Sequence, residues 1–62
     1  MNERYVEITY LNAEGKPVSN RFTNAGGDKV GYNIDENYIK VYSGKETLFI
    51  IPSRLLYLRT NL

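Results

Sequence analysis

Turn residues punctuate this chain at intervals too short for helices. Glu14-Gly15, Asp35-Glu36-Asn37, Ser43-Gly44 and Pro52-Ser53 divide it into short runs, and within the runs apolar and polar residues alternate with a period of two. Strands joined by tight turns are what this pattern allows, so the chain is expected to be all-β and antiparallel.

Directly opposed residues of a hairpin share a face, so each turn can be tested by the register it imposes. A two-residue loop at Gly44-Lys45, with glycine first as a type II′ turn requires, sets Ile39 against Ile50 and Val41 against Leu48. The other face then pairs Tyr38 with Ile51, Lys40 with Phe49 and Tyr42 with Thr47. A three-residue loop would mix apolar and polar residues on both faces. The first hairpin instead favours a three-residue loop, Ala13-Glu14-Gly15, which puts Tyr10 against Val18 and Val6 against Phe22. Glu7 with Arg21 and Thr9 with Ser19 fall outside. At Asp35-Glu36-Asn37, a loop of two or four residues leaves Ile34 opposite Ile39 and Tyr32 opposite Val41, one core face in either case.

Pro52-Ser53-Arg54 reads as a single 3₁₀ turn leading into a last strand, Leu55 to Thr60. A short helix from Ser53, with Leu55, Leu58 and Leu62 at helical spacing, is the rival. With the strand, residues 1–62 form a single domain: a five-stranded antiparallel meander closing into a small SH3-like or Sm-like barrel, since closure removes exposed sheet edges. The run Thr47-Leu48-Phe49-Ile50-Ile51-Pro52-Ser53-Arg54-Leu55-Leu56-Tyr57-Leu58 resembles in layout the closing strands of Sm-like RNA-binding proteins, although that family's N-terminal helix and diagnostic loop residues are missing here. Asn12 to Gly31, poor in apolar residues and containing Pro17 and Ala25-Gly26-Gly27-Asp28, is expected to be the soft part, an exposed turn or a strand completed by a partner.

Composition narrows the chemistry. With no Cys and no His, disulfides, thiolate or imidazole metal sites, cysteine nucleophiles and the usual general base all drop out. Gly44-Lys45-Glu46 lacks the preceding glycine and following hydroxyl of a phosphate loop, and Gly26-Gly27-Asp28-Lys29-Val30-Gly31 lacks the second glycine of a dinucleotide fingerprint. Asp35, Glu36 and Glu46 do not have calcium-loop spacing, and no serine has a base at motif spacing. The expectation is a chain that is not an enzyme, with no cofactor, no metal and no small-molecule substrate. Charged residues within Met1–Tyr10 and the shortness of the apolar runs argue against a signal peptide or a membrane span, and with no cysteine the cytoplasm is the expected compartment.

The registers leave one anomaly. If Ile39, Val41, Leu48 and Ile50 face the core, then Tyr38, Lys40, Tyr42, Phe49 and Ile51 share a face that should be polar and is not. Tyr57 and Arg59 are expected to join it if the tail is a strand. Tyr, Phe and Arg are enriched where proteins meet, so this face is expected to bind a protein partner, and the chain is expected to self-associate into a homo-oligomer through it. The chain would then act as an adaptor, regulator or inhibitor. The alternative is single-stranded RNA or DNA, with bases stacked on the rings and Lys40, Arg54 and Arg59 on phosphates, although a net charge of +1 gives that reading little help.

Overall fold

The structure is a computed structural model and describes residues 3–62. Six strands follow one another: β1 (Tyr5–Leu11), β2 (Pro17–Thr23), β3 (Val30–Ile34), β4 (Ile39–Ser43), β5 (Glu46–Ile50) and β6 (Leu55–Thr60). A turn at Ala25–Gly27, in which two glycines take left-handed backbone, precedes β3, and a single 3₁₀ turn, Pro52–Arg54, precedes β6. The strands form two three-stranded antiparallel sheets, ordered β2-β1-β6 and β3-β4-β5.

Each hairpin has the register that its turn chemistry implies. Ile39 faces Ile50 and Val41 faces Leu48 across a turn in which Gly44 has φ +59°. Tyr10 faces Val18 and Val6 faces Phe22 across a loop whose Gly15 has φ +77°. That loop is organised by Asn12, whose Oδ1 accepts the amides of Glu14 (2.9 Å) and Lys16 (3.0 Å). Ile34 faces Ile39, with the Asp35 amide donating to the Tyr38 carbonyl at 2.9 Å. The tail is a strand, entered through the expected 3₁₀ turn.

Val6, Ile8 and Phe22 of the first sheet meet Ile39, Val41 and Ile50 of the second, and these six side chains are the buried core. Tyr10, Val30, Leu48, Leu55 and Leu58 pack around them, half-buried. Each fully buried aliphatic side chain contributes about 1.5–3 kcal/mol by transfer from water, so a core this small leaves little margin.

Three expectations are corrected. There are six strands, not five, since the first hairpin supplies two, the turns at Asp35-Glu36-Asn37 and Gly44-Lys45 join three more, and the tail adds the last; after Asn24 to Lys29, where Gly26 and Gly27 take φ of +76° and +84°, β3 begins a new sheet. No barrel closes. β5 and β6 belong to different sheets because Pro52 lacks an N–H and the Arg54 amide turns back onto the Ile51 carbonyl at 2.9 Å, which ends the ladder and redirects the chain to β1. The supposed soft segment contains a full strand, Pro17–Thr23, laddered to β1. In place of a shared ladder, the Ser43 hydroxyl donates to the Thr23 carbonyl, tying the second sheet to the end of β2, while the Gly44 amide extends the β3–β4 ladder onto the Lys29 carbonyl (3.1 Å).

The pairing of β6 with β1 contains a bulge at Leu56 and ends in a side-chain clip. Asn61 imitates a ladder residue: its Oδ1 accepts the Tyr5 amide and its Nδ2 donates to the Glu3 carbonyl, both at 2.8 Å. Asn61→Leu is expected to cost about 1 kcal/mol and to speed hydrogen exchange at the Tyr5 amide, read by NMR alongside a urea melt.

Candidate interaction face

Alternation along β4 and β5 turns Ile39, Val41 and Ile50 into the core and therefore sends Tyr38, Lys40, Tyr42, Phe49 and Ile51 the other way. Tyr38, Lys40, Tyr42 and Phe49 come together on the outer side of the second sheet, with Ile51 directly after β5. Tyr38 and Phe49 meet edge to face, with ring centroids 5.8 Å apart and planes at 63°. Lys40, directly opposite Phe49, lays its half-buried stem between two rings, with Nζ 5.5 Å from the Tyr42 centroid and 5.9 Å from that of Phe49. Phe49 stays 62% exposed and Ile51 59%. Both are far more open than an apolar side chain inside a well-covered sheet.

Tyr42 has a second task. It lies opposite Gly31, and a Cβ built on that glycine would stand 2.5 Å from the Tyr42 hydroxyl oxygen and 2.7 Å from Cζ. The ring thus supplies the cover that glycine cannot, and both residues are withdrawn from solvent, Gly31 fully and Tyr42 in part. Gly31→Ala is expected to push the ring aside at a cost of about 1 kcal/mol, visible as a changed Tyr42 ring environment by NMR and a lowered Tm. Tyr42→Ala uncovers Gly31 at a similar cost and leaves the domain folded.

Tyr57 and Arg59 do not join this face, which corrects the grouping of seven. They lie in β6, Tyr57 opposite Thr9 and Arg59 opposite Glu7, on the first sheet. The reason is topological: the last strand pairs with β1 and not with β5. There Arg59 stands 5.7 Å from the Tyr57 ring, while Arg21 lies 4.3 Å from the Tyr5 ring and 3.8 Å from Glu7, a face where cations already have partners.

Two features were not anticipated. Ile34 shares a face with Ile39 yet is 60% exposed, because the first sheet gives no cover at the turn end of β3. Beside β5, a groove of about 310 Å³ opens between Leu11-Asn12-Ala13 and Phe49-Ile50-Ile51, with Arg54 at its edge. The Arg54 Nη1 donates to the Asn12 carbonyl at 3.2 Å. The adjacent pair Leu55-Leu56, which breaks the period of two, is the sequence sign of the bulge in β6.

Among the described residues no three carboxylates come close enough to hold a metal ion, and no helix is long and apolar enough to cross a membrane. What the face offers chemically is contact: two exposed apolar side chains, a tyrosine edge and one ammonium. Set against protein-family models, curated proteins and solved structures, the chain finds no match.

Proposed function

We propose that this chain is a non-enzymatic protein-binding module, an adaptor, regulator or inhibitor, whose working surface is the outer face of β4 and β5. The observation that carries the reading is the exposure of Phe49 and Ile51 beside Tyr38, an aromatic and aliphatic cluster of the composition found at interface cores. Lys40 is the cation within it, and among the described residues no carboxylate pairs with it. A partner surface with an apolar patch and a carboxylate complements this face, and a second copy of the chain, turned so that each Lys40 meets a different residue of the other, is the remaining candidate.

Single-stranded nucleic acid is less well served. Of the three cations that would meet phosphates, Arg59 sits on the other sheet opposite Glu7 and Arg54 is engaged with the Asn12 carbonyl. Tyr42 is committed to Gly31. A phosphate-binding surface needs several cations along one track.

Affinity capture from a lysate of the source cells, run in parallel with the native chain and Phe49→Ser, tests the reading. A protein retained by the native chain and lost with Phe49→Ser is the expected result. The outcome that sinks it is capture unaffected by Phe49→Ser, together with saturable binding of a single-stranded oligonucleotide pool that fades as salt rises.

A further inference from the structure

From the main chain of β5 we infer that its free edge is a β-addition site for an extended segment of a partner protein in which apolar and acidic side chains alternate. The inference rests on the binding-module reading and names the manner of docking and the chemistry of the partner.

The Gly44-Lys45 turn makes Ser43 and Glu46 the hydrogen-bonded pair that closes the hairpin, so Glu46, Leu48 and Ile50 direct their amides and carbonyls to β4. Thr47, Phe49 and Ile51 therefore direct theirs away from the sheet. The Ile51 carbonyl is taken by the Arg54 amide, which leaves three N–H groups and two carbonyls in a row on an edge that pairs with no strand among the described residues. Natural edges are usually blunted by lysine, proline or an inward charge, and between Thr47 and Ile51 there is none. The large apolar side chains on this edge, Phe49 and Ile51, are both well exposed, and the groove toward Leu11 and Ala13 runs beside them.

Charge selects the occupant. Arg54 lines the groove beside the edge, and no Asp or Glu does. The guanidinium spends one donor on Asn12 and keeps others for a carboxylate. A strand added here would bond its backbone to Thr47, Phe49 and Ile51, rest apolar side chains on Phe49 and Ile51, and send the acidic ones, which alternate to the opposite face, toward Arg54 at the groove.

The test titrates two labelled heptapeptides, one alternating Val and Glu and one alternating Val and Lys, into the full chain. Fluorescence polarisation and amide hydrogen exchange are followed together. The Val/Glu peptide is expected to bind saturably, to slow exchange at the Thr47 and Phe49 amides, and to bind at least about tenfold tighter than the Val/Lys peptide. Arg54→Gln is expected to weaken binding about tenfold. Thr47→Pro removes one outward N–H without touching the ladder to β4, and is expected to weaken binding at least as much while the thermal melt stays cooperative. No saturable binding of the Val/Glu peptide overturns the inference. So does binding that leaves the Thr47 and Phe49 amides exchanging freely and is indifferent to both variants. A protein captured through Phe49 whose complex leaves those amides unprotected would defeat edge docking alone and keep the binding-module reading.

Discussion

Replacing Ile39 by aspartate is expected to leave the chain without a cooperative thermal transition, its circular dichroism that of an unfolded peptide at room temperature. Ile39 is 2% exposed and sits where the β3 and β5 registers cross, opposite both Ile34 and Ile50. An unpartnered carboxylate there must either stay charged in an apolar interior or take up a proton, and either course costs several kcal/mol. A domain of this size has about 3–9 kcal/mol in total at the usual stability per residue, and a core of six buried side chains argues for the lower part of that range. Ile39→Val, which removes a single methylene, costs about 1 kcal/mol and should keep the melt cooperative. A well-folded aspartate variant would mean that Ile39 is not core, and the outward assignment of Tyr38 and Lys40 would fall with it.

Gly44→Val should be the next most damaging change, lowering stability by about 2–3 kcal/mol in a urea melt. Two causes add. The residue holds φ +59° at the first position of a two-residue turn, a conformation that a β-branched side chain resists. A Cβ there would also stand 2.7 Å from the Asp28 Oδ2 and 2.8 Å from its Cγ. The Gly44 amide donates to the Lys29 carbonyl, so moving the turn away from Asp28 also pulls on the segment that leads into β3. Gly44→Val with Asp28→Ala separates the two terms: the double variant should recover the contact part and keep the φ penalty. Gly15→Val is the control, with φ +77° but nothing within 4 Å of its Cβ, and should lose less.

The hairpins were legible in the sequence because two independent constraints agree in each. The Gly44-Lys45 loop and the facing of Ile39 with Ile50 demand the same register, and a slip of one residue would turn every apolar side chain of the strand outward. The same holds for Gly15 with the pairing of Val6 and Phe22. What the sequence could not disclose is which strands meet across long stretches of chain. Tyr57 and Arg59 were assigned to the right kind of face, outward on a half-buried strand, but to the wrong sheet, since nothing in Leu55 to Thr60 records that its neighbour is β1. Closure failed for a local reason that is clear only in three dimensions: a proline turn that consumes the Ile51 carbonyl stops β5 from continuing beside β6. Ile34 shows the converse limit, because alternation fixes the side of the sheet a residue is on and not whether the opposing sheet extends far enough to cover it. Of the candidate face, the five residues on and beside β4 and β5 were readable; the commitment of Tyr42 to Gly31 was not, because it depends on a cross-strand neighbour with no side chain.

The position of β1 in the middle of its sheet sets an order of assembly. Its partnership with β2 closes through a tight loop, whereas the Thr60 hydroxyl that bonds the Tyr5 carbonyl comes from 55 residues away. Bringing such distant ends together costs about 2 kcal/mol more in chain entropy than closing a tight turn. Docking of β6 is therefore the late step, and the three hairpins can form before it. On a ribosome the delay is built in, since the strand that completes the first sheet emerges after all the others. Until it does, β1 presents a bare edge with Val6 and Ile8 beside it, so the nascent chain carries a sticky surface that the finished one hides.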